Sequence, residues 1–134
     1  MTTAYLETSA LAKLVLDEVH GTALRGALRT HAGRQVTSQL TALEFSRAAR
    51  RALGEMGLAR ARTTMLSFDV MPIDGAVIDA ATRLEPALLR SLDAIHVASA
   101  LALGTPDVVF YSYDARTIEA ARANGLTTAS PGAE

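Results

Sequence analysis

The chain has 134 residues, 49% hydrophobic and 20% charged, which fits one domain with a real core. It lacks Cys and Trp, which excludes disulfides and thiolate zinc sites and leaves the core mainly to Ala, Leu, Val and Ile. A net charge of −1 gives no global pull toward nucleic acid, and with neither a span of ~20 apolar residues nor a basic-then-apolar leader a soluble cytoplasmic protein is expected.

Residues 3–7 read as a short buried strand. From Ser9, the residues Leu11, Leu14, Val15 and Glu18 recur at three- and four-residue steps, predicting a helix that Asp17 and Glu18 end and Thr8 or Ser9 caps. A second helix is expected over about 21–31, then a brief strand at Gln35-Val36-Thr37. Ser38 caps a helix to about Ala52, Gly54 stops it, and a fourth helix covers about 58–68. Val70-Met71-Pro72-Ile73 is strand-like and closed by its proline. Asp74 caps a helix carrying Val77, Ile78, Ala81 and Leu84, and a further helix runs from about Ser91 to Leu103 before Gly104. Val108-Val109-Phe110-Tyr111 is the clearest strand; Asp114 starts a helix ending at Asn124-Gly125, and Leu126-Thr127-Thr128 makes a last strand. Residues 1–130 form a single domain, with 131–134 a loose tail. Strands separated by helices of this length imply an α/β protein with a parallel sheet covered on both faces.

Four acids stand out: Glu7 ends Ala4-Tyr5-Leu6, Glu44 sits within Leu43-Glu44-Phe45, Asp93 within Leu92-Asp93-Ala94-Ile95, and Asp114 follows Tyr111-Ser112-Tyr113. Carboxylates in apolar surroundings need a pairing partner or a metal. Glu7 and Asp114 follow two strands, at the sheet edge where open α/β sheets bind ligands. Each acid alone reads most simply as a cap, a surface charge or one half of an ion pair, with Arg47 or Arg90 the partner of Glu44 or Asp93. Together, converging carboxylates repel unless a cation holds them. Oxygen ligands without Cys point to Mg²⁺ or Mn²⁺ and hence to phosphodiester hydrolysis. Ser112 could orient a metal-bound water, as could Thr8 or Ser9, although helix capping is the simpler role for Ser9. Asp69, Asp74, Asp79, Glu85, Asp107 and Glu119 read as caps or surface charges, His20 and His31 as solvent-facing, and His96 as a core residue rather than a ligand. Twelve of the thirteen basic residues are Arg, and Arg47, Arg50, Arg51, Arg60 and Arg62 cluster against Glu55 alone. That cluster is a solvated helix face, a phosphate-tracking patch or a docking surface for an acidic partner.

Tyr5-Leu6-Glu7-Thr8-Ser9-Ala10-Leu11, Thr41-Ala42-Leu43-Glu44-Phe45-Ser46-Arg47, Leu92-Asp93-Ala94-Ile95-His96-Val97-Ala98 and Tyr111-Ser112-Tyr113-Asp114-Ala115-Arg116 resemble, in order and spacing, the motifs of PIN-domain proteins of the VapC toxin type. The resemblance implies a three-layer α/β/α sandwich with a short, mostly parallel sheet. It also implies a Mg²⁺- or Mn²⁺-dependent endoribonuclease toxin of a type II toxin–antitoxin pair, acting on single-stranded or loop RNA. Glu7, Glu44, Asp93 and Asp114 would be the metal-binding quartet, with Ser112 in support. A VapB-like antitoxin, a homodimer or a toxin–antitoxin hetero-oligomer would be its assemblies, with no membrane involved.

One position departs from that pattern: the first acid is usually Asp and here is Glu7, whose extra methylene moves the carboxylate by roughly 1.5 Å. Glu7 could still bind, through a water, or the chain could be a catalytically weak PIN module that only binds antitoxin or RNA. A phosphoacceptor domain using Asp93 or Asp114 is a third reading, and it requires a Lys beside the acids where the sequence offers only Lys13. Dimerisation is expected on the apolar faces of the helices near residues 38–68.

Overall fold

The computed structural model describes residues 2–16, 18–31 and 33–134. Five strands, β1 (Thr3–Leu6), β2 (Gln35–Ser38), β3 (Asp69–Met71), β4 (Val108–Tyr111) and β5 (Thr127–Ala129), make one sheet in the order β3-β2-β1-β4-β5. Every pairing is parallel. The helices are α1 (Thr8–Val15), α2 (Gly21–Arg29), α3 (Gln39–Met65), α4 (Gly75–Thr82), α5 (Ser91–Leu101) and α6 (Ala115–Ala123).

The period of two along the strands sorts the core. On β1, Ala4 and Leu6 join a cluster with Ala10 and Leu11 of α1, Leu24 of α2, and Phe45 and Ala49 of α3. Tyr5, between them, joins the opposite cluster with Val97 of α5, Phe110 of β4, and Ala120 and Ala121 of α6. Tyr5 and Phe110 are paired in register, with ring centroids 5.5 Å apart. Both sheet faces are therefore covered, as a parallel sheet requires, and the three-layer α/β/α sandwich expected from the sequence is the observed fold. No helix among the described residues is long and apolar enough to cross a membrane.

Local departures have identifiable causes. The cap of α1 is neither Thr8 nor Ser9 but Glu7, whose side chain accepts from the Ser9 amide. The helix ends at Val15, short of Glu18, which pairs with Lys13 at 3.7 Å; Asp17 lies outside the described residues. Gly54 takes φ 66°, ψ −149°, a conformation open to glycine, and divides α3 there into two helical arms, as its position predicts, although the second arm begins closer behind it than residue 58. The two arms of α3 then approach so closely at Gly57 that an added Cβ would lie 2.1 Å from the Ala49 carbonyl oxygen. Ser38 caps α3 and Asp74 caps α4, as their positions predict. His20, expected in solvent, is half-buried and stacks parallel to Tyr113 at 5.8 Å; His31 is likewise half-buried.

Candidate functional site

The strand order reverses between β1 and β4, because β2 and β3 extend the sheet to one side of β1 while β4 and β5 extend it to the other. Connections leaving the carboxyl ends of two such strands diverge and open a crevice. Glu7 follows β1 immediately and Asp114 follows β4 after two residues. α3 reaches the same edge from one helical layer and α5 from the other. A cleft of about 870 Å³ opens there, and Glu7, Glu44, Asp93 and Asp114 all line it.

Glu7 is the most enclosed of the four, 3% exposed. Its Oε1 accepts from the Ser9 amide at 2.9 Å, from the Ser9 hydroxyl, and from the Ser112 hydroxyl at 2.8 Å. Burial nevertheless pushes its carboxyl above the usual range, and those hydrogen bonds only partly offset it. Both serines are fixed from behind. Ser9 Oγ accepts from the Tyr113 amide at 2.8 Å, and Ser112 Oγ accepts from the Asp114 amide at 3.1 Å. Ser9, expected as a cap, therefore ties the loop after β1 to the loop after β4. The fully buried Ser112 does not line the cleft; its proton goes to Glu7, so it orients the carboxylate rather than a water.

Glu44 is held in the same fashion. Thr8 Oγ1 donates to its Oε1 at 2.6 Å, and His96 Nε2 lies 2.9 Å from the same oxygen. The His96 bond is the leading cause that holds the Glu44 carboxyl below the usual range. The ion pairs considered for Glu44 and Asp93 with Arg47 and Arg90 do not form among the described residues; the partner of Glu44 is His96. Asp114 caps α6, accepting from the Arg116 amide at 3.0 Å. Asp93 lies in the first turn of α5, where the positive end of the helix favours a carboxylate, and no side-chain hydrogen bond from the described residues reaches it.

Each of the four acids thus keeps at least one carboxylate oxygen without a protein partner among the described residues. All-oxygen donors of this kind suit a hard divalent cation. No three acidic or histidine side chains among the described residues are grouped closely enough to hold an ion unaided. Water would complete the shell, the usual arrangement for Mg²⁺.

The sequence reading did not place four arginines together, yet Arg47, Arg51, Arg90 and Arg116 all line the cleft beside the acids. None of the four is in an ion pair among the described residues, whereas Arg50 is paired with Glu55, Arg34 with Asp69 and Arg83 with Asp79. Arg47 and Arg51 belong to the cluster visible in the sequence; Arg90 and Arg116 flank Asp93 and Asp114, which is the signal that could have found them. Asp69, Asp79, Glu85, Asp107 and Glu119 are exposed, as expected. Lys13 does not line the cleft and lies over the Tyr113 ring at 4.7 Å, so the phosphoacceptor reading lacks its lysine.

Comparison with known proteins bears on the family and the fold. The family model described as PIN domain matches residues 4–123. A Mycobacterium tuberculosis protein named ribonuclease VapC47 is 40% identical over 133 residues, covering 96% of this chain and 97% of the relative. Among solved structures, M. tuberculosis VapC20, described as a sarcin-ricin loop cleaving toxin, superposes with a TM-score of 0.76 at 17% identity, over 96% of this chain and 99% of that one. A toxin–antitoxin complex from Klebsiella pneumoniae gives a TM-score of 0.73 at 18% identity, over 96% of this chain and 97% of that one. The order of the four acids, the sheet edge they share and the match over nearly the whole chain make this protein a member of the PIN domain family.

Proposed function

We propose that the protein is an endoribonuclease toxin of a type II toxin–antitoxin pair that hydrolyses phosphodiester bonds in single-stranded or loop RNA in the cytoplasm, using Mg²⁺ or Mn²⁺. The observation that carries this reading is the convergence of Glu7, Glu44, Asp93 and Asp114 on one cleft, each with a carboxylate oxygen that has no partner among the described residues, beside four arginines that form no ion pair among them. The acids would hold the cation, Glu7 and Glu44 from fixed positions and Asp93 and Asp114 from freer ones. The bound cation supplies charge stabilisation at the phosphoryl oxygen and a water of lowered pKa. Arg47, Arg51, Arg90 and Arg116 would bind the flanking phosphates, since their planar forks match phosphate oxygens. Ser112 and Ser9 keep Glu7 in place. Likeness to ribonuclease VapC47 and to toxin–antitoxin structures supports both the activity and a VapB-like antitoxin as partner. The exposed Leu43, Leu53 and Met56 of α3 leave apolar surface for that partner or a second copy.

A second reading, binding of antitoxin or RNA without cleavage, is favoured by one observation. Glu7 stands where the family usually has Asp, is buried with three donors on one oxygen, and belongs to no ready-made group of three ligands among the described residues. Mn²⁺ titration calorimetry beside an RNA cleavage assay, on the native chain and on Glu7→Asp, separates the two. Metal binding and cleavage by both proteins is the expected result. Cleavage by Glu7→Asp alone supports the binding module, and cleavage by neither sinks the ribonuclease reading.

A further inference from the structure

Behind Glu44 lies a buried polar cluster that its proposed role as a ligand does not explain. His96 is 3% exposed on α5, in the layer opposite α3, and both of its ring nitrogens have partners. Nε2 is 2.9 Å from Glu44 Oε1 and Nδ1 is 3.3 Å from Thr41 Oγ1. Thr41 and Ser38 are fully buried, and Ser38 Oγ, the cap of α3, accepts from the Thr41 amide at 3.2 Å.

The hydrogens along this chain run in one direction. Ser38 Oγ donates to Thr41 Oγ1 at 3.4 Å. The Thr41 hydroxyl then has its own proton to give, and His96 Nδ1, 3.3 Å away, can accept it. That leaves the ring proton on Nε2, where the carboxylate of Glu44, an acceptor only, needs a donor. Thr8 supplies a second donor to the same oxygen from the other side of the cleft.

We propose that His96 is a positioning residue. Held as the Nε2–H tautomer by Thr41, it clamps Glu44 Oε1 across the two helical layers and leaves Oε2 to the cleft. Ligand-orienting hydrogen bonds of this kind are a regular support of metal sites, and losing one costs about 10–100-fold in metal affinity or activity. The consequence for metal rests on the function proposed above; the clamp itself does not.

The test has two parts. In ¹⁵N–¹H spectra of the imidazole, the native protein should show a proton on Nε2, and Thr41→Val should weaken its signal. A ring with no proton on Nε2 overturns the proposal. In Mn²⁺ titrations without RNA, His96→Ala should bind about 10–100-fold more weakly, Thr41→Val should fall in the same direction, and His96→Gln, whose amide can still donate, should recover part of the loss. Native affinity in His96→Ala overturns the proposal, as does equal loss in Ala and Gln. If His96→Ala does not fold, Thr41→Val, His96→Gln and the native spectrum decide. A native protein that shows the Nε2–H signature but takes no Mn²⁺ overturns the metal reading and leaves the clamp standing.

Discussion

The two glutamates and the two aspartates of the cleft are held in opposite ways. Glu7 and Glu44 each have one oxygen loaded with donors that include a distant segment: Ser9 of its own helix and the remote Ser112 for Glu7, Thr8 and His96 for Glu44. Asp114 takes one backbone amide from its own helix, and Asp93 takes no side-chain partner among the described residues. One half of the cleft is built into the fold, and the other is left to adjust to what binds. Changes in the first half should therefore move stability and function together, and changes in the second should move function alone.

The largest effect is expected for Asp93→Asn. RNA cleavage should fall by at least about 100-fold, since even indirect partners of a metal are worth about 10–100-fold. The unfolding free energy should stay within about 0.5 kcal/mol of native, as for other substitutions that break no buried network. Urea unfolding beside the cleavage assay checks both halves, and a large loss of stability would break the contrast.

Ser112→Ala should move both quantities. Metal affinity should fall by about 10–100-fold, and removal of the hydroxyl leaves Glu7 Oε1 short of a donor and the Asp114 amide short of an acceptor, at about 1–3 kcal/mol. Equal effects in Ser112→Ala and Asp93→Asn on urea unfolding would show that the two halves do not differ.

Glu7→Gln sharpens the comparison through pH. The Glu7 carboxyl is raised above its ordinary 4.5 by burial, so the folded protein holds its proton where the unfolded chain has lost it. Stability from this group is present below 4.5 and lost as pH rises through the raised value. Glu44 has the opposite sign: lowered chiefly by His96, it contributes stability above its ordinary 4.5 that is lost as pH falls through the lowered value. Glu7→Gln should then melt at a higher temperature than native at neutral pH, and its pH profile should lack the decline above 4.5. A lower melting temperature at neutral pH would mean that burial is not the dominant influence on Glu7.

The smallest effect belongs to the rim. Arg47→Ala should weaken binding of single-stranded RNA modestly and reduce the slope of log affinity against log salt by about 0.7, the value of one phosphate contact on a single strand. An unchanged slope would remove Arg47 from the phosphate track.

The acids were legible because each sits in an apolar segment where a carboxylate has no ordinary reason to be, and the apolar spacing placed two of them after strands. The supporting residues were not. Thr8 and Ser9 look like cap residues in a linear reading, and a cap is a local bond. Ser9 instead reaches Tyr113 and Thr8 reaches Glu44, contacts separated by 104 and 36 positions, which no period can encode. Gly54 shows the same division at the level of an element: its break between two helical arms was legible as a glycine stop, whereas the close return of the second arm at Gly57 was not.

The sequence by itself determined the alternation of strand and helix, the parallel sheet, the absence of thiolate chemistry and the identity of the four acids, because these follow from periodicity, composition and residue type. Only the tertiary structure decided that Ser112 faces Glu7 rather than the cleft, that His96 joins the two helical layers at Glu44, and that Arg90 and Arg116 complete the cationic rim. Those outcomes depend on which side chains the strand reversal between β1 and β4 brings within hydrogen-bond reach, a three-dimensional condition that residue type and spacing do not contain.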